Sequence, residues 1–144
     1  MSVTVGNGMP VAITDATGNI ISGGNTQGSL LASAARTGTA DSPIQTNPGA
    51  RGVILYLNIT AITGGPGLGI QYAMFGVDPV SGVVTQLSGA SGLKTATGLT
   101  NLAIYPGLSG AGTSNMVVPR SWLAHVFVSD ATPYTYSLGY ALIV

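Results

Sequence analysis

Apolar and polar residues alternate over 53–62: Val53, Leu55, Leu57, Ile59 and Ala61 are apolar, and Asn58 and Thr60 fall between them. Successive side chains of a strand point to opposite faces, so a period of two sets one face against a core. A second run alternates large with small: Tyr134, Tyr136, Leu138, Tyr140 and Leu142 against Thr135, Ser137, Gly139 and Ala141. Between them, 69–77, 83–87, 99–105 and 122–129 are rich in β-branched or aromatic residues and end in turn residues. Asp78, Pro79, Val80, Ser81 and Gly82 spell a tight turn, with proline fixing φ and glycine closing, so the flanking strands are expected to pair as a hairpin. Pro106-Gly107 and the segment 130–133 punctuate the later strands in the same way.

Seven or eight short strands without helical periodicity predict an all-β chain, a single β-sandwich or jelly-roll-like domain. The domain is expected to span 29–144. Residues 1–28 read as an extended N-terminal arm, because the apolar pieces Pro10, Val11, Ile13 and Ile20, Ile21 are broken up by turn residues.

At 144 residues the chain can bury roughly two-thirds of its unfolded surface, enough for one core. It contains no cysteine, which excludes disulfides, thiolate nucleophiles and cysteine zinc sites. Only 6% of residues are charged, against roughly 25% in an ordinary soluble domain. The acids are Asp15, Asp41, Asp78 and Asp130 and the bases Arg36, Arg51, Lys94 and Arg120, too dispersed to displace counterions from a nucleic acid. A surface destined to be covered avoids charge, since an unpaired buried ion costs several kcal/mol. The low charge therefore points to assembly.

No apolar run approaches the ~18 to 20 residues of a spanning helix. A transmembrane barrel would also use alternating strands, but 6% aromatic residues are too few for two girdles, and the N-terminus lacks the basic start and apolar stretch of a signal peptide. No membrane partner is expected.

Catalytic signals are weak. His125 is the single histidine and lies in a strand, on one face with Leu123 and Phe127, as a structural residue would. Gly107-Leu108-Ser109-Gly110 and Gly89-Ala90-Ser91-Gly92 have the wrong spacing for a nucleophile elbow. The glycine-rich 64–69 is followed by no Lys-Ser or Lys-Thr and reads as a strand connection. Asn58-Ile59-Thr60 is formally a glycosylation sequon inside a strand and reads as chance. No enzyme activity, metal or cofactor is expected. Trp122 and the six tyrosines, Tyr56, Tyr72, Tyr105, Tyr134, Tyr136 and Tyr140, read as core or subunit interface, with sugar stacking the rarer alternative.

Several strings in order carry a resemblance: Ala34-Ala35-Arg36-Thr37, Ser42-Pro43 with Gln45-Thr46-Asn47, Arg51-Gly52, Thr60-Ala61, the turn 78–82, Tyr105-Pro106-Gly107-Leu108, Pro119-Arg120-Ser121-Trp122 and Tyr136-Ser137-Leu138-Gly139. Over 30–144 the chain resembles the trimeric head-decoration or cement proteins of phage virions. It departs from them at Val77 and Val83, where similar proteins tend to be polar. The resemblance implies a β-sandwich on the capsid's outer surface, a structural role, the major capsid protein and further copies of the chain as partners, and Arg36, Arg51 and Arg120 as positions flanking strands. The expected capsid contacts are Pro10, Val11, Ile13, Ile20 and Ile21 of the arm, and the expected subunit interface is Tyr134, Tyr136 and Tyr140. The alternative is a tail- or fibre-associated module that binds a receptor glycan through exposed tyrosines.

Overall fold

The computed structural model describes 26–65 and 67–144 with their side chains, and the backbone alone at 2–3, 13–14 and 20–21. Every regular element among these residues is a strand. In chain order they are β1 (Ser2–Val3), β2 (Ile13–Thr14), β3 (Ile20–Ile21), β4 (Gln27–Arg36), β5 (Ala40–Asp41), β6 (Gln45–Thr46), β7 (Gly52–Ile62), β8 (Ile70–Val77), β9 (Val84–Gln86), β10 (Gly98–Ile104), β11 (Thr113–Ser114), β12 (Ser121–Val128) and β13 (Tyr134–Ile143). Among the described residues, β1, β2 and β3 pair only with one another, antiparallel.

The remaining strands form a two-layered sandwich. The first sheet runs β11-β10-β7-β13-β4, antiparallel except for β10 with β11. The second runs β5-β12-β8-β9, with β6 also paired to β12. The six alternating or β-rich runs of the sequence are β7, β8, β9, β10, β12 and β13. β4 begins inside the stretch read as arm: Gln27 and Gly28 are its first residues, opposite Ala141 and Tyr140. Its sequence is dominated by alanine, serine and glycine, poor strand formers, and the pairing comes from β13.

The inner faces are those the alternation marked. Val53, Leu55, Leu57 and Ile59 of β7 and Tyr134, Tyr136, Leu138 and Leu142 of β13 meet Ile70, Tyr72 and Met74 of β8 and Trp122, Ala124 and Val126 of β12 in one buried cluster. Each fully buried Leu or Ile contributes about 1.5–3 kcal/mol relative to exposure. Trp122 meets Tyr140 edge-on at 5.6 Å between ring centroids.

Tyr134 and Tyr136 therefore do not form a subunit interface. Both are completely buried within a single chain, because the large-residue face of β13 is the face turned to the second sheet. Tyr140 is partly buried against the same core. The Tyr134 hydroxyl accepts a bond from the Gly69 N–H at 3.0 Å, and the Tyr72 hydroxyl meets Thr100 Oγ1 at 3.2 Å. The Tyr136 hydroxyl and Trp122 Nε1 have no hydrogen-bond partner among the described residues. Arg36 lies over the Tyr136 ring, 4.7 Å from its centroid, and donates to the carbonyls of Ala32, Ala34 and Tyr136. Burial raises the Tyr136 phenol above its ordinary pKa, and the Arg36 charge partly offsets this.

Tyr134→Phe leaves the buried Gly69 N–H without an acceptor and is expected to cost about 1–3 kcal/mol. Tyr136→Phe removes a hydroxyl that satisfies nothing and is expected to cost less. Chemical denaturation of both variants measures the difference.

Candidate interaction surfaces

Asn47 defines one end of the sandwich. Its Nδ2 donates to the carbonyls of Ala50 at 2.8 Å and Val118 at 2.9 Å, and its Oδ1 accepts from the N–H of Ala50 at 2.7 Å. The Arg51 N–H then bonds the Ile143 carbonyl at 2.8 Å. The starts of β7 and β12 and the finish of β13 are thereby gathered together. β8 also finishes here, since Gly76 lies opposite Trp122, and the hairpin into β9 projects beyond it. This end carries Val80, which is 94% exposed, together with exposed Val83, Val84 and Val117. The Leu142 N–H bonds the Thr26 carbonyl at 2.6 Å, so the chain preceding β4 joins the sandwich at the same end.

The hairpin is held by neutral groups and one carboxylate. The Asp78 N–H bonds the Val83 carbonyl at 2.8 Å, and Gly82 closes the turn at φ +72, a left-handed conformation that a residue with a Cβ resists. Asp78 Oδ1 accepts from the Val80 N–H at 3.0 Å, and Oδ2 accepts from the Ser81 hydroxyl. The Ser81 bond, with the Val80 N–H next, lowers the pKa of the Asp78 carboxyl. The turn read from the sequence is therefore present, and it presents valines to solvent.

The outer face of the first sheet is uncharged. Arg36 is the single charged residue in its five strands, and its guanidinium is committed to Tyr136 and the carbonyls around it. By register the rest of that face is built from Ile54, Tyr56, Asn58, Asn101, Ser137 and Ala141 and their neighbours. An open groove of about 370 Å³ lies there, lined by Gln27, Gly28, Tyr56, Gly139 and Tyr140.

The outer face of the second sheet carries an aromatic cluster. The His125 ring lies 4.2 Å from Phe127 and 4.9 Å from Phe75 between centroids, and its Nδ1 pairs with Asp41 Oδ1. Asp41 is the one hydrogen-bond partner of the His125 side chain among the described residues. The arrangement fixes the orientation of the imidazole. No set of three or more His, Cys, Asp or Glu suited to a metal ion occurs among the described residues.

Gly67 and Leu68, in the glycine-rich connection between β7 and β8, are clasped against the segment that precedes β13. The Leu68 N–H donates to Asp130 Oδ2 at 2.6 Å, and a Cβ on Gly67 would overlap Asp130, Thr132 and Tyr134 at 2.5–2.7 Å.

Of the expected capsid contacts, Ile13 lies on β2 and Ile20 and Ile21 on β3, while Pro10 and Val11 fall outside the described residues. The sequence does not mark the exposed valines as a contact surface: Val80 lies inside the turn and Val83 and Val84 inside a β-rich run, where apolar residues are ordinary. Of the tyrosines that sugar stacking would need, Tyr72, Tyr134 and Tyr136 are buried, while Tyr56 stands on the outer face. Comparison with protein-family models and with curated proteins finds no match for this chain.

The depressed Asp78 pKa fixes the sign of a pH effect. A carboxyl whose folded pKa lies below its unfolded value stabilises the turn above the unfolded value of about 4, and that contribution is lost as pH falls through the folded one. NMR titration is expected to place the Asp78 midpoint below about 4, with protection of the Val80 amide lost across the same range. Asp78→Ala is expected to remove that protection at neutral pH.

Proposed function

We propose that this chain is a structural virion protein that binds the outside of a phage capsid and stabilises it, with the major capsid protein and further copies of itself, as a trimer, for partners. The observation that carries the reading is the end of the sandwich that carries exposed Val80, Val83, Val84 and Val117 and at which the N-terminal segment also joins. Four exposed aliphatic side chains at one end of a small domain fit a surface that another protein covers. The rest of the molecule suits permanent burial against a neighbour, because few charges would have to be desolvated.

Two further features fit. The first sheet ends in β4, a ten-residue edge strand exposed over most of its length and able to receive a partner's strand. The sequence of the N-terminal segment offers Pro10, Val11, Ile13, Ile20 and Ile21 as aliphatic residues for capsid contact. Contacts made by aliphatic side chains and backbone instead of ion pairs depend little on salt.

Sedimentation of the chain with capsids that lack it tests the proposal. The wild type alone is expected to sediment as a trimer, and in the mixture to move with the shell at both 0.1 M and 1 M salt. The double variant Val80→Asp, Val83→Asp is expected to keep its melting temperature within a few degrees and to bind at least ten times more weakly. Wild-type chain that stays behind the shell, or a double variant that binds as well as wild type, overturns the reading.

A further inference from the structure

Gly139 lies in the interior of β13 with Tyr56 of β7 on one side and Ser29 of β4 on the other. Glycine weakens a strand interior and there marks a bulge or a place where something comes close to the backbone. The bulge beside it is on the other strand: between the pairs Leu138 with Leu31 and Gly139 with Ser29, the additional residue is Leu30 of β4. Gly139 does not have a left-handed φ. A Cβ built on it would meet a single atom, the Gly28 carbonyl oxygen at 3.3 Å, a contact that a shift of a few tenths of an ångström relieves. Gly28 has a different reason to be glycine, since its Cβ would lie 2.9 Å from Tyr140 Cε1. The space over Gly139 is thus open, and it forms part of the groove of about 370 Å³ lined by Gln27, Gly28, Tyr56, Gly139 and Tyr140.

The chemistry offered to that space is neutral and unpaired. The Tyr56 ring stacks on no other ring or cation among the described residues. Neither its hydroxyl nor the Gln27 amide has a hydrogen-bond partner among them. Asn101 stands beside Tyr56 across β10, and Asn58 and Ser137 form the adjoining row, their side chains likewise without hydrogen-bond partners among the described residues. An anionic ligand would find no free cation in the groove. An apolar protein segment would leave the phenol and amides without partners, at a cost in desolvation. A pyranose answers both needs: its C–H face stacks on an aromatic ring, and its hydroxyls pair with amides that both donate and accept. The volume lies at the low end of small-molecule sites, which suits a short saccharide.

We propose that the groove over Gly139 binds a neutral saccharide, with Tyr56 as the stacking platform and Gln27 and Asn101 as hydrogen-bonding groups. The site belongs to the isolated chain and needs no capsid.

The experiment is an NMR titration of the full ¹⁵N-labelled chain with linear trisaccharides of glucose, galactose and N-acetylglucosamine. At least one is expected to give saturable shifts at Gln27, Gly28, Tyr56, Asn101 and Gly139. Tyr56→Leu and Gly139→Val, the second of which fills the groove, are each expected to weaken that binding at least tenfold, while Val80→Asp leaves it unchanged. Tyr56→Leu leaves the strand backbone alone and decides the matter if Gly139→Val does not fold. No saturable shift with any of the three sugars, shifts confined to other residues, or binding unaffected by Tyr56→Leu overturns the proposal. A Gly139→Val chain whose fold is intact but whose sedimenting mass falls also overturns it and assigns the groove to a second copy.

Discussion

The contact between the inner faces of β7 and β13 and those of β8 and β12 organises the rest of the molecule. Trp122, Tyr72, Tyr134 and Tyr136 are all completely buried in it, so four of the chain's nine aromatic residues are spent on one interior. Burial of that kind scales with apolar area and needs no charge. It accounts for how so weakly charged a chain folds without cysteine or metal ligands, and it leaves the outer faces free to be flat and neutral.

A sandwich still has edges, and backbone groups at an edge must be met. The second sheet meets them with serines. Ser91 Oγ accepts from the Tyr72 N–H at 3.1 Å, Ser88 Oγ from the Met74 N–H at 2.8 Å, and Ser42 Oγ from the Ala124 N–H at 3.0 Å. Each of these hydroxyls also donates to a nearby carbonyl, so each is itself satisfied. The first sheet is treated differently. β4 leaves a long edge uncovered among the described residues, and two irregularities in its register against β13 are its main departure from a flat template. The two sheets thus differ in how their edge groups are met: serine hydroxyls serve the second, and the backbone of β4 stays exposed along the first.

The surfaces divide the same way. Aliphatic side chains gather at the end where the N-terminal segment joins, neutral hydrogen-bonding groups cover the outer face of the first sheet, and an aromatic cluster around His125 covers the second. Apolar contact, backbone pairing and neutral recognition are available on separate faces of one small domain.

The sequence alone established the all-β class, six of the strands, the 78–82 hairpin and the scarcity of charge, because side-chain alternation, turn chemistry and composition are local properties. Tertiary structure decided what each apolar face packs against. Tyr134 and Tyr136 follow the same alternation whether they meet a second sheet or a second subunit, and only the position of β8 and β12 makes them core. β4 was illegible because alanine, serine and glycine carry little strand signal and its pairing is imposed by β13, about a hundred positions away. The valine end and the groove over Gly139 were illegible for a related reason. Each is assembled from segments far apart in the chain, and exposure and empty space belong to the packed molecule, not to any residue in it.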